Sequence, residues 1–171
     1  MQRNIAILCG IVVLLLINTL IIQKERHLSN GTPVLLELAP VDPRSLMQGD
    51  YMNLRFSITD KISKELSQEY GHIPAFYDGF VIVSRDSKNI GSFVRISETQ
   101  NHNNGELALQ YRIRKNQIRF ATNAFFFQEG DAKIFEEAKY GLFRVNDHGG
   151  LLLTSMYDQN QSPLGGKRYE R

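Results

Sequence analysis

A chain of 171 residues suits one domain, or one domain with an anchor, and a formal charge of +2 with a pI near 8.7 is too mild for a protein that neutralises a nucleic-acid backbone. The single cysteine, Cys9, excludes an intramolecular disulfide, and no ligand spacing joins His27, His72, His102 and His148 into a metal site. Much of the 42% hydrophobic content lies in the first twenty-two residues, which leaves a polar remainder of roughly 140 residues, enough for a core of its own.

After a short flank, Met1 to Arg3, residues 4–22 carry no charge and Gln23-Lys24-Glu25-Arg26 ends the run. Nineteen helical residues rise about 28 Å, close to the hydrocarbon thickness of a bilayer. Asn4, Asn18 and Thr19 are tolerable in such a helix. The exit Thr19-Leu20-Ile21-Ile22-Gln23 lacks the small residues of a cleavage site, so an uncleaved membrane anchor is expected rather than a signal peptide. Arg3 and the α-amino group nearly balance the charges after the run, so orientation rests on a domain that follows an N-terminal export segment. That places the domain outside the cytoplasm. Residues 23–32 read as a polar linker, 33–157 as the domain and 158–171 as a disordered tail.

Val34 to Ala39 is a strand closed by Pro40. In Asp42-Pro43-Arg44-Ser45-Leu46-Met47-Gln48-Gly49-Asp50 a proline with fixed φ, a glycine free to take φ > 0 and two aspartates make a turn. It feeds a segment in which Met52, Leu54, Phe56 and Ile58 share one parity and Tyr51, Asn53, Arg55 and Ser57 the other, the pattern of a half-buried strand. Thr59-Asp60 is the expected cap of a helix with an Ile62, Leu66, Tyr70 stripe, stopped at Gly71. Phe80 to Arg85 and Ile90 to Ser97 form a hairpin across Asp86-Ser87-Lys88-Asn89. Leu107, Leu109, Tyr111 and Ile113 alternate in the next strand, which turns at Lys115-Asn116-Gln117 into Ile118 to Ala121. Phe125-Phe126-Phe127 reads as buried core, with a ligand-stacking platform or partner patch as the alternative, and Asp131 as the cap of a second helix that runs to Tyr140-Gly141. Strands at Phe143–Val145 and Leu151–Tyr157 complete seven to nine strands and two short helices. The predicted class is mainly β, a β-rich α+β domain with a compact antiparallel sheet or small barrel behind one N-terminal transmembrane helix.

Gly49-Asp50-Tyr51-Met52-Asn53-Leu54-Arg55-Phe56 resembles the signature after which the GDYXXLXY family is named, with Phe56 in place of the final tyrosine. The approach Asp42-Pro43-Arg44-Ser45-Leu46 and the block Phe125 to Gly130 are similar to that family as well. The resemblance implies a bacterial membrane-anchored protein from a family whose role is uncharacterised, single-pass in the cytoplasmic (inner) membrane. It suggests a polytopic membrane protein as partner and supplies no catalytic residues.

Asp42, Arg44, Asp50, Tyr51 and Glu129 are the candidate binding residues, Arg44 for an anion and Asp50 and Tyr51 for hydrogen bonds; Pro43, Gly49, Leu54 and Phe56 are structural. The expected role is a non-enzymatic binding or accessory module, with the bilayer as partner through residues 4–22, no nucleic acid, no metal and no cofactor. A degenerate anchored hydrolase is the alternative. Ser45 to Asp50 is similar to the Thr-Leu-x-x-Gly-Asp part of the signal-peptidase signature, but Val41 stands where that chemistry needs a nucleophile, and nothing in the spacing compels Ser45 with Lys61 or Lys64. Arg112, Arg114, Lys115 and Arg119 cluster on one hairpin, either as a solvated face or as a contact for anionic headgroups near the anchor.

Overall fold

A computed structural model describes residues 2–39, 47–48 and 51–166. Its first element, α1 (Gln2–Asn30), is apolar on every side over its first two-thirds. With no polar stripe there is no face to turn toward a core. The large apolar side chains from Ile7 to Ile22 are accordingly between 48% and 62% exposed. The segment is long and apolar enough to cross a membrane. Asn18 Nδ2 and Thr19 Oγ1 each donate to the carbonyl four residues back, which engages one donor of each within the helix.

Residues 23–30, expected as a linker, continue the same helix. The domain explains this. His27 Nε2 donates to Arg144 O at 2.8 Å, Arg144 Nη1 donates to Gly31 O, and Gly31 N closes on His27 O. A Cβ at Gly31 would lie 2.5 Å from His27 O and 2.9 Å from Arg144 Cβ, so glycine permits this junction.

The strands that follow are β1 (Thr32–Glu37), β2 (Met47–Gln48), β3 (Tyr51–Asn53), β4 (Phe76–Arg85), β5 (Gly91–Ser97), β6 (Glu106–Arg114), β7 (Gln117–Arg119), β8 (Ala124–Phe126), β9 (Tyr140–Val145) and β10 (Leu151–Tyr157). They form three antiparallel sheets in the orders β1-β9-β10, β2-β3-β8 and β5-β4-β6-β7. A parallel bridge, Leu35 to Ile90, ties the first sheet to the third, and Gln110 N donates to Gly149 O at its other side. Among the described residues the sheets meet at edges without closing a barrel. The fold is β-rich, as its alternation predicts. Val34, Leu36, Val83, Leu109, Ile113 and Phe143 bring the inner faces together in one core.

The two helices beyond α1 cover that core. α2 (Ile58–Tyr70) starts ahead of the expected Thr59-Asp60 cap, because Ile58 is itself buried and Ser57 occupies the cap position without a side-chain bond. Ile62 and Leu66 lie fully inside, whereas Tyr70, the third residue of the stripe, is exposed. Gly71 ends the helix at φ 75°, a left-handed stop that suits glycine. α3 (Ala132–Phe135) is a single turn, and Tyr140-Gly141, expected to terminate it, begins β9 instead. Phe135 explains the position: its ring sits 5.0 Å from Phe125 and 5.4 Å from Phe127, locking the turn against β8.

Turn chemistry holds at the two hairpins on either side of the β4–β6 pair. Asp86 Oδ1 accepts from Lys88 N and Ile90 N at the β4–β5 hairpin. Lys115 and Asn116 both take positive φ in the two-residue β6–β7 turn. The tail differs from expectation up to residue 166. Asp158 Oδ1 accepts from Asn160 N and Ser162 N, Pro163 bridges back to Tyr157, and Leu164 N donates to Met156 O. One aspartate turn and one apolar residue suffice to fold a polar segment onto β10.

Candidate functional site

The motif strand changes sheets along its length. Tyr51, Met52 and Asn53 pair with Phe126, Phe125 and Ala124 of β8, and Met47-Gln48 of β2 lie on the other side. Leu54 N then donates to Asn123 O, and past it the chain crosses to β1: Ala39 N donates to Arg55 O, Leu38 bridges Phe56, and Ser57 N donates to Glu37 O. Only Tyr51–Asn53 form a continuous ladder, yet the period of two in burial runs on to Ile58. Met52, Leu54 and Phe56 are 1%, 5% and 2% exposed. Alternating side-chain burial, together with these single backbone bonds, keeps the segment extended beyond the ladder.

Phe56, which replaces the signature's tyrosine, sits in an aromatic nest. Its ring meets Phe143 and Phe120 edge-on, at 5.3 Å and 5.8 Å between centroids. A phenylalanine fills such a site without requiring a hydrogen-bond partner. On the opposite parity, Tyr51 lies 5.7 Å from the ring of Phe126, and Phe126 is 72% exposed. The Phe125 to Phe127 run is therefore not all core: Phe125 and Phe127 point in, while Phe126 joins Tyr51 on the outer face. Strand alternation forces this, since three consecutive residues cannot share a face. Glu129 is exposed on the turn that leaves this segment, where Asp131 N donates to Gln128 O.

The structure thus puts Tyr51 and Phe126 side by side, with Glu129 a few residues further along the same strand and turn. Leu54 and Phe56 are buried in the core. Asp42, Pro43, Arg44, Gly49 and Asp50, together with Val41 and Ser45, lie outside the described residues.

A cleft of about 420 Å³ opens beside the motif strand, walled by Arg55, Asp60, Ser63, Gln117 and Asn123. Arg55 and Asp60 form an ion pair across its mouth with side chains 56% and 59% exposed, and such surface pairs contribute under about 1 kcal/mol. The hydroxyl of Ser63 donates to Thr59 O within the helix. Lys61 is exposed and lines a different cleft with Ser57. Among the described residues no cluster of His, Cys, Asp or Glu could hold a metal ion.

Two further groups were not visible in the sequence. Tyr70, Tyr77 and Tyr111 stand in line with centroid separations of 6.4 Å and 6.1 Å. Burial pushes the Tyr77 phenol up to about 12, with Tyr70 and Glu98 adding to it. Burial raises Tyr111 still more, and its Oη has no hydrogen-bond partner among the described residues. On the outer face of β6, Asp78 binds Arg114 through both oxygens, and this hydrogen bonding holds the Asp78 carboxyl below its usual range.

The fold and site define a β-rich α+β domain on an apolar N-terminal helix, organised by one strand that buries every second side chain. No curated protein and no solved structure matches the chain. The chain belongs to the GDYXXLXY family: the family model, described as GDYXXLXY protein, matches residues 13–156, most of its length.

Proposed function

We propose that the chain is a single-pass accessory module of the bacterial cytoplasmic membrane. In this reading its domain stands outside the cytoplasm and binds a polytopic membrane protein through the face of Tyr51 and Phe126. The observation that carries the reading is Phe126, a large ring left 72% exposed beside Tyr51 on the pair of strands that contains the signature. Exposed aromatic pairs next to polar groups are typical anchors of protein interfaces. Asp42, Arg44 and Asp50 flank this strand in sequence and would supply the polar rim, with Glu129 on the neighbouring turn. An exposed apolar helix of α1's length supports the anchor, since water alone is a poor surrounding for it.

The alternative, an anchored hydrolase, gains nothing from the cleft beside the motif strand, where the hydroxyl of Ser63 is engaged by the helix backbone. The binding reading is tested by placing a photocrosslinking phenylalanine at position 126 in cells and, as a control, at exposed Val94. One integral membrane protein should be captured from position 126 and not from 94. Identical adducts from both positions, or none from 126, overturn it. Reporter fusions after residue 166 check the side of the membrane, and activity of a cytosolic reporter there would reverse the orientation.

A further inference from the structure

We propose that the cleft between the end of α1 and the β6–β7 hairpin holds the anionic headgroup of a membrane phospholipid. The inference rests on the anchor reading above. α1 is one continuous helix, so the point where its apolar run ends fixes the height of everything packed on it. Lys24, two residues past Ile22, lines a cleft of about 420 Å³ with Arg112, Phe120, Thr122 and Leu152. Arg112 and Lys24 therefore face one space at the level where the helix leaves the hydrocarbon, the depth of lipid phosphates.

Among the described residues neither the Lys24 ammonium nor the Arg112 guanidinium makes a hydrogen bond or a close ion pair, and Arg112 acts on Asp78 only through space. Asp78 stands opposite Arg112 in the β4–β6 ladder, but both of its oxygens go to Arg114. On its other side Arg112 pairs directly with Arg119, and like charges opposite each other in a ladder are unfavourable. Arg112, Arg114 and Arg119 line the adjoining cleft, which extends the positive surface away from Lys24. The other cleft beside the end of α1 is mixed in charge, with Asp147 in its lining beside Arg26. A cleft that brings Lys24 and Arg112 together, with no carboxylate in its lining, suits a phosphodiester, which accepts charge-assisted hydrogen bonds from both guanidinium and ammonium groups. The apolar wall of Phe120 and Leu152 suits the glycerol and first methylenes beneath it.

The test uses the full chain reconstituted in nanodiscs of equal phosphatidylglycerol and phosphatidylcholine, with lipids that survive transfer to mild detergent quantified by mass spectrometry. Wild type should retain phosphatidylglycerol in preference. Lys24→Gln and Arg112→Gln should each lower the ratio about fivefold, the attraction of roughly one juxtamembrane cation. Lys88→Gln, on the distant β4–β5 turn, should leave it unchanged. Inorganic phosphate should displace the lipid no better than chloride of equal ionic strength; better displacement would assign the cleft to a soluble anion and overturn the proposal. Equal retention of the two lipids by a chain that resists alkaline extraction overturns the headgroup site alone. Release of the wild-type chain by alkaline extraction overturns the anchor reading and this proposal with it. Circular dichroism of each variant, with Arg119→Gln as a second removal of charge, separates loss of the site from loss of the fold.

Discussion

α1 and the motif strand both carry large apolar side chains, with opposite outcomes. From Ile7 to Ile22 large side chains stay about half exposed, while Met52, Leu54 and Phe56 are at most 5% exposed. The difference is periodicity. In the motif strand polar Asn53 and Arg55 separate the apolar residues, so one face can be given to the core and the other to water. α1 offers no such division, and no surface of the domain could cover a helix that is apolar all round. A helix long and apolar enough to cross a membrane, left uncovered by the domain, is the physical basis for proposing an anchor.

The largest expected effect comes from the buried side of this comparison. Phe56→Ala removes a ring held between Phe120 and Phe143 and should destabilise the domain by about 3–5 kcal/mol in urea unfolding. An effect below about 1 kcal/mol would show that the motif strand is not part of the folding core. The exposed side should respond differently. Leu14→Arg should disfavour membrane insertion by roughly 3 kcal/mol, read by membrane fractionation, while the urea midpoint of the domain stays unchanged. A shift in that midpoint would mean α1 packs on the domain over its apolar part.

Two smaller effects probe the tyrosines. Tyr77, pushed up to about 12, is favoured as the neutral phenol in the folded state, so its contribution is full below its ordinary value near 10. It is lost as the pH rises from about 10 to about 12, and Tyr77→Phe should flatten that alkaline slope. Urea unfolding across this range checks it; an unchanged slope would remove Tyr77 as the cause. Tyr111→Phe deletes a buried hydroxyl without a partner among the described residues and should raise stability by up to about 1 kcal/mol. Destabilisation instead would reveal a partner for that hydroxyl.

Much of the fold was legible because local chemistry and tertiary packing agree. The alternation at Leu109, Tyr111 and Ile113, the Asp86 turn, the positive φ at Lys115-Asn116 and the stop at Gly71 all lie where residue type requires them. Errors arose where a local signal met a distant partner. Residues 23–30 stay helical because Arg144 receives His27, and residues 158–166 fold back because β10 is there to accept them. For the site, Tyr51, Leu54 and Phe56 were legible from the signature. The exposure of Phe126 follows from strand alternation applied within an aromatic run. The meeting of Lys24 with Arg112 does not, since nothing local connects residues so far apart.

By itself, then, the order of residues determined which segments are apolar, with what period, and where the chain must turn, because these depend on neighbours within a few positions. Only the folded arrangement decided that the motif strand passes from β8 to β1, that α1 ends against β9, and that Lys24 shares a cleft with Arg112. Those outcomes depend on surfaces contributed by remote segments, whose complementarity exists only after the sheets have come together.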